Sequence, residues 1–163
     1  MLFDLQLEFK KLSISLKRSM EENLLWNQIS SNLLLVKYLS VLSTPDTAFI
    51  PVFPSWPQNI WIMNSVWFTL ESLLMCTCTR ITLWNSLLGN KDLDEVLRNW
   101  KAGGFPNLEY LYVGSHNITN NSTTILGMNP MELDGMTIQT DDGSKKATIY
   151  TGYGSVVMSV TPL

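Results

Sequence analysis

The sequence predicts an α/β fold: a stack of repeating strand–helix units, closed at its C-terminal end by an antiparallel β meander. Three observations carry this expectation. Short apolar alternations recur at steps in the twenties of residues, helix-spaced apolar runs occupy the gaps between them, and after residue 127 only strand and turn signals follow. A chain of 163 residues with 45% hydrophobic content can bury a substantial core in one domain. That domain is expected to span 1–163, with the stack over about 10–127 and a β-rich cap over 128–163.

The strands come first. Leu12, Ile14 and Leu16 alternate with Ser13 and Ser15, the period of a half-buried strand. Leu39 and Val41 flank Ser40; Ile60 and Ile62 alternate with Trp61 and Met63. Ile81 and Leu83 alternate with Thr82 and Trp84, and Leu111 and Val113 with Tyr110 and Tyr112. Two of these units share text: Ile60-Trp61-Ile62-Met63-Asn64-Ser65 and Ile81-Thr82-Leu83-Trp84-Asn85-Ser86. Leu108-x-x-Leu111-x-Val113 has the Leu-x-x-Leu-x-Leu form, which makes the stack leucine-rich-repeat-like though degenerate. The alternative is an ordinary α/β domain whose strands fall at this spacing by chance.

Helix signals fill the gaps. Ser19-x-x-Glu22 reads as a capping box ahead of Trp26, Ile29 and Leu33, and Thr69 can cap a short helix through Met75. A third helix begins at Asn90, sets Leu93, Val96, Leu97 and Trp100 on one face, and ends at Gly103-Gly104. Trp100 is expected in the core. Pro45, Pro51, Pro54 and Pro57 make residues 43–58 a loop, because proline removes the N–H a central strand needs. Beyond residue 127, Met136 to Thr140 and Ala147 to Thr151 flank the hairpin signal Asp141-Asp142-Gly143, and Ser155 to Val160 supplies one more strand.

Composition narrows the function. Only 15% of residues are charged, against about 25% in an average domain, so the surface is lightly charged and suited to a partner. The net charge is -3, and no basic run exceeds Lys10-Lys11 or Lys145-Lys146, which argues against nucleic-acid binding. Asp4, Glu8, Lys10 and Lys11 interrupt the N-terminal apolar run, so it does not read as a signal peptide. Asn64, Ser65, Thr69, Glu71 and Ser72 break the stretch from Ile60 to Met75, so no membrane span is expected. Cys76 and Cys78, one residue apart, would form a strained disulfide, and a reduced, intracellular compartment, cytoplasmic or nuclear, is the reading. The sequons at Asn117, Asn120 and Asn121 would then go unused.

Chemistry finds no local motif. His116 lies in a Gly-Ser-His-Asn turn without a converging set of partners, and the two cysteines lack a second metal-binding pair. Asp141-Asp142-Gly143 lacks the later ligands of a calcium loop. No catalytic residue, cofactor or metal is expected. The alternatives are a small enzyme whose site assembles from scattered Asp, Glu and His, and a truncated product with no independent role.

Several stretches in register carry a family resemblance. Arg80-Ile81-Thr82-Leu83-Trp84-Asn85-Ser86 leads to Asn90-Lys91-Asp92-Leu93-Asp94 and then to Leu97-Arg98-Asn99-Trp100-Lys101-Ala102-Gly103-Gly104-Phe105-Pro106-Asn107-Leu108-Glu109-Tyr110-Leu111. Trp56-Pro57-Gln58-Asn59-Ile60 and Leu70-x-x-Leu73-Leu74 precede them; Asp142-Gly143 with Ala147-Thr148-Ile149 follows. From about residue 10 to its end the chain resembles the type 2 F-box-associated domain, a family expanded in nematodes. The resemblance implies a domain that recruits an unknown protein substrate for an SCF-type (Skp1-cullin-F-box) ubiquitin ligase. A Skp1-type adaptor would be reached only through an F-box, which this sequence does not show, so the chain is expected to be the recruiting half alone.

The period-two pattern names the candidate surface. With Ile60, Ile62, Ile81, Leu83, Leu111 and Val113 facing inward, Trp61, Met63, Thr82, Trp84, Tyr110 and Tyr112 form an outward row, which Ser13, Ser15, Tyr38 and Ser40 would extend. This row either contacts the partner or is itself core, covered by a helix or by the C-terminal meander.

Overall fold

Each apolar alternation in the sequence is a strand. The computed structural model describes residues 8–16, 20–43, 51–121 and 123–162. In chain order these form β1 (Leu12–Leu16), α1 (Met20–Ile29), a 3-10 helix (Ser30–Leu35), β2 (Tyr38–Ser43), β3 (Asn59–Ile62), α2 (Leu70–Met75) and β4 (Arg80–Ser86). They continue with α3 (Asn90–Lys101), β5 (Tyr110–Ser115), α4 (Pro130–Leu133), β6 (Thr137–Gln139), β7 (Lys145–Gly152) and β8 (Ser155–Pro162). The architecture is mixed α/β around one eight-stranded sheet of order β1-β2-β3-β4-β5-β8-β7-β6. The first five strands run parallel in chain order, and the last three continue the sheet antiparallel.

Register turns the alternations into two apolar rows. Leu39, Ile60, Ile81, Leu111, Met158 and Ile149 are successive partners across β2, β3, β4, β5, β8 and β7. Ile14, Val41, Ile62, Leu83, Val113 and Val156 form the parallel row beside them, starting from β1. Every one of these side chains is buried, and Trp26, Leu33, Leu73, Leu93, Val96, Leu97, Trp100 and Leu133 from the helices join the same core. The helices therefore pack on this face of the sheet. Among the described residues no helix is long and apolar enough to cross a membrane.

Helix ends follow their local chemistry. Thr69 caps α2 by accepting from the Ser72 amide (3.2 Å), as its position predicted. The α3 helix ends at Lys101, and Gly103 takes a φ of 97°. At Gly104 a Cβ would stand 1.7 Å from Asn99 Oδ1 and 2.9 Å from the Asn99 carbonyl oxygen, so the double glycine answers first a backbone angle and then a close approach. Trp100 is fully buried, as expected, although its indole N–H finds no acceptor among the described residues.

Three expectations are corrected. The helix carrying Trp26, Ile29 and Leu33 does not run straight through: α1 stops at Ile29 and a 3-10 helix kinked at Asn32 follows. Ser55 causes the break, accepting from the Leu33 amide (2.9 Å) and donating to the Ser30 carbonyl (2.6 Å), which diverts bonds an α-helix would make. Its proposed cap, Ser19, lies outside the described residues. Second, strand and helix do not alternate uniformly, because the described residues between β2 and β3, 51–58, form a loop, as their prolines predicted. That loop is held by an indole bond from Trp26 to the Val52 carbonyl (2.9 Å) and by Phe53 stacked on Trp56 (centroids 4.4 Å apart). Third, helices do not cease at residue 127. Asn129 and Glu132 exchange a reciprocal capping box around the single turn of α4, too short to show a helical apolar period.

The shared Asn-Ser text performs shared work. Asn85 donates to Asn64 Oδ1 (3.0 Å) across neighbouring strand ends. Ser65, Ser86 and Ser115, all buried, close the ends of β3, β4 and β5: Ser65 donates to the Trp84 carbonyl, while Ser86 and Ser115 accept from the Leu88 and Asn117 amides. The β6–β7 hairpin also forms where its Asp-Gly signal stood. There Asp142 accepts from Thr140 Oγ1 (2.7 Å), the Ser144 amide and Ser144 Oγ, and these bonds lower its carboxyl to about 2.

Two outcomes follow from this packing. Leu83→Ala, at a fully buried site in the central strands, is expected to cost about 2–5 kcal/mol in urea unfolding, whereas Trp84→Ala next to it should keep the fold. Because the folded carboxyl of Asp142 lies below its ordinary 3.8, its contribution is complete above that value and is lost as pH falls toward 2. Acid titration of Asp142→Asn should therefore lack a stability step that the parent chain shows across this window.

Candidate functional site

The rows that bury one face commit the alternate residues to the other. Ser13, Ser40, Trp61, Thr82, Tyr112 and Val157 are successive partners across six adjacent strands. Two residues nearer the start of the parallel strands, Tyr38, Asn59, Arg80, Tyr110 and Ser159 form a second row. Toward the strands' C-terminal ends stand Met63, 44% exposed, and Trp84, 43% exposed. Trp61, Thr82, Tyr110 and Tyr112 are half-buried. All six residues of the expected row share one face, together with half-buried Tyr38 and exposed Ser13 and Ser15. The meander extends this face sideways rather than folding over it, since β8 pairs edge-on with β5. Ser40 departs from the expectation: it is 8% exposed, its short side chain opposite the much larger Trp61.

Local irregularity sharpens the surface. The β4–β5 register shifts between Leu83 and Ser86, with Asn85 at a φ of 51°, a bulge that turns the outgoing side chain. The Trp84 ring lies 4.6 Å from Tyr112, tilted by 38°. Arg80 stacks its guanidinium 4.5 Å over Tyr110, and Lys11 Nζ lies 5.7 Å from the Tyr38 ring. Burial, and after it Tyr110, raises the Tyr112 hydroxyl above the ordinary tyrosine value, so it stays a neutral donor at physiological pH. Sequence reasoning passed over Asn59 and Arg80, although each lies one step before an apolar alternation and so shares the outward parity. Tyr150 on β7, 53% exposed, follows the same rule.

A second feature lies where the parallel strands end. A cleft of about 700 Å³ is lined by His116, Asn120, Met131, Asp134, Thr151 and Tyr153, among others, and a smaller one of about 170 Å³ joins it to Trp84 and Tyr112. The cleft's polar groups already serve the fold. Asp134 accepts from the Thr151 amide (2.8 Å), and Thr151 Oγ1 donates to the Pro130 carbonyl (2.7 Å), tying α4 to β7. Nearby, buried Asn90 donates to the carbonyls of Thr119 and Thr123 and accepts from the Thr119 amide. His116 is exposed in a turn, as its sequence context predicted. Among the described residues no group of three or more His, Cys, Asp or Glu could hold a metal ion.

The cysteines lie in the connection between α2 and β4, both buried and free. A hydrogen bond with Cys76, then burial, raises the Cys78 thiol well above its ordinary value, so it presents no reactive thiolate. Of the three sequons, two include Ser122, outside the described residues.

Residues 53–113 match the family described as F-box associated. The match starts in the Phe53 loop, runs through β3, α2, β4 and α3, and ends in β5. It shows the family resemblance over this segment, which contains all six residues of the outward row. No curated protein and no solved structure matches the chain.

Asn90→Ala should release the 119–123 loop, because its amide satisfies two carbonyls and one N–H at a buried position. Hydrogen exchange is expected to show lost protection at Thr119 with little change in β4. Unaltered exchange at Thr119 would contradict the clamp.

Proposed function

We propose that this chain is a non-catalytic protein-recruiting domain whose outer sheet face grips a substrate protein for an SCF-type ubiquitin ligase. The observation that carries the reading is an aromatic row, half-buried apart from exposed Trp84, on the sheet face away from the helices and within the segment that matches the F-box associated family. Rigid aromatic side chains bury large areas at small entropic cost, which is what recognition surfaces use. Held on paired strands, they need little reordering when a partner arrives. The net charge of -3 and scattered basic residues speak against a nucleic-acid partner.

Parallel strands in chain order, joined by the Asn64–Asn85 pair at equivalent positions, support a degenerate leucine-rich-repeat-like stack capped by the meander. Such stacks present extended faces rather than deep pockets. An enzymatic reading would need free polar groups converging in the cleft, yet Asp134 and Thr151 there bond the backbone. Binding is the better supported reading.

Affinity capture with the full chain and with Trp84→Ala, both shown folded by circular dichroism, tests the surface. Loss of one central aromatic anchor is expected to cost about 2 kcal/mol or more, a drop in affinity greater than tenfold. Unchanged capture would remove Trp84 from the site. Sequencing the 5′ end of the native transcript tests the ligase link. An in-frame F-box would make this chain the recruiting arm of a ligase; a start at Met1 without one would remove the ligase role from this product while leaving the binding face intact.

A further inference from the structure

The described strands carry no carboxylate on the outer face. None of the 14 Asp and Glu residues falls within any of the eight strands, although the chain as a whole is net negative. The strands do hold cations, and Arg80 is placed to act. It stands exposed at the start of β4, with its guanidinium over Tyr110 and no carboxylate in ion-pair range among the described residues. Lys11 rests over Tyr38 toward the same end of the face. Lys146 is also exposed, but it lies on β7, two strands beyond β5 and away from Arg80. The acids flanking the strand starts, Glu8 and Glu109, are exposed but lie outside the strands.

The face is thus graded: cationic over aromatic rings at the strand starts, apolar around Trp61, Met63, Trp84 and Tyr112 farther along. We infer that it binds an acidic, extended segment of a partner protein, whose Asp or Glu pairs with Arg80 while a nearby apolar side chain seats on the Trp84–Tyr112 pair. This inference rests on the recruiting role proposed above and adds the chemistry of what is recruited. The spacing follows from the strand rise. Arg80, Thr82 and Trp84 alternate along one face of β4, so acid and anchor in the partner stand roughly 7–13 Å apart, two to four residues of extended chain. A guanidinium held flat on a ring keeps its edge free to form a forked bond with a carboxylate.

Selecting a displayed library of random peptides on the full chain tests this, followed by fluorescence anisotropy with the synthetic winners. The winners should carry Asp or Glu two to four residues from an aromatic or branched aliphatic residue, and should weaken when that acid becomes Asn or Gln. Arg80→Glu should weaken them about tenfold or more, the scale of one interface charge pair, and binding should fall as salt rises. Should Arg80→Glu melt differently from the parent chain, Arg80→Gln takes its place. Winners without acidic enrichment, or indifferent to Arg80→Glu yet lost with Trp84→Ala, would overturn the charge preference and leave the recruiting face standing. Winners indifferent to both substitutions, or no winners at all, would bring down the face itself.

Discussion

Parity along the strands is the constraint from which the rest of the structure follows. Successive strand side chains point to opposite faces, so pairing Ile60 with Ile81 and Leu111 on the helix side commits Trp61, Thr82 and Tyr112 to the other. A slip of one residue would put those aromatic and polar groups under the helices and expose Ile62, Leu83 and Val113, all fully buried now. At about 25 cal/mol per Å² of apolar surface, such an exchange across several strands far exceeds any local gain. The core therefore dictates the composition of the opposite face, and a chain that had no use for exposed aromatics there could have carried threonine or lysine instead.

Most of the fold was legible because period two and period 3.6 are written in the sequence directly. Every expected strand formed, α2 and α3 began and ended at their capping and glycine signals, and the Asp-Gly hairpin closed where it stood. What escaped was set by contacts distant in sequence. Ser55 breaks the helical run near Leu33 from more than twenty residues away, a bond no local window can anticipate. The α4 turn escaped for the opposite reason: four residues hold a cap but no period. The six outward residues followed from alternation, whereas Arg80 and Asn59 were missed because each starts its strand before the apolar alternation becomes visible. The cleft by His116 was invisible, since it gathers Asn120, Met131, Asp134 and Tyr153 only after β7 and β8 pair beside β5.

The two ends of the parallel strands serve different purposes. At the C-terminal ends, buried Ser65, Ser86 and Ser115 and the clamp of Asn90 satisfy backbone groups that the strands leave unpaired. Open α/β sheets commonly place their ligand sites at this edge; here Asp134 and Thr151 bond backbone groups that tie α4 to β7.

The outer face carries the opposite signature. Among the described residues, the exposed side chains of Trp84, Met63 and Arg80 make no hydrogen bond or ion pair, and Trp84 and Arg80 make their ring contacts with Tyr112 and Tyr110 of the same face. An exposed apolar patch on a lightly charged chain is a liability for association, normally offset by interspersed charge. Here the offset is graded, with serines and threonines between the rings and a cation at one end, so that water tolerates the face while one orientation of a partner is favoured over its reverse. The eight strands carry no Asp or Glu, in keeping with the low strand propensity of acidic residues and the apolar face these strands bury. What that leaves on the outer face is a surface whose charge comes from Arg80 and Lys11 beside aromatic rings.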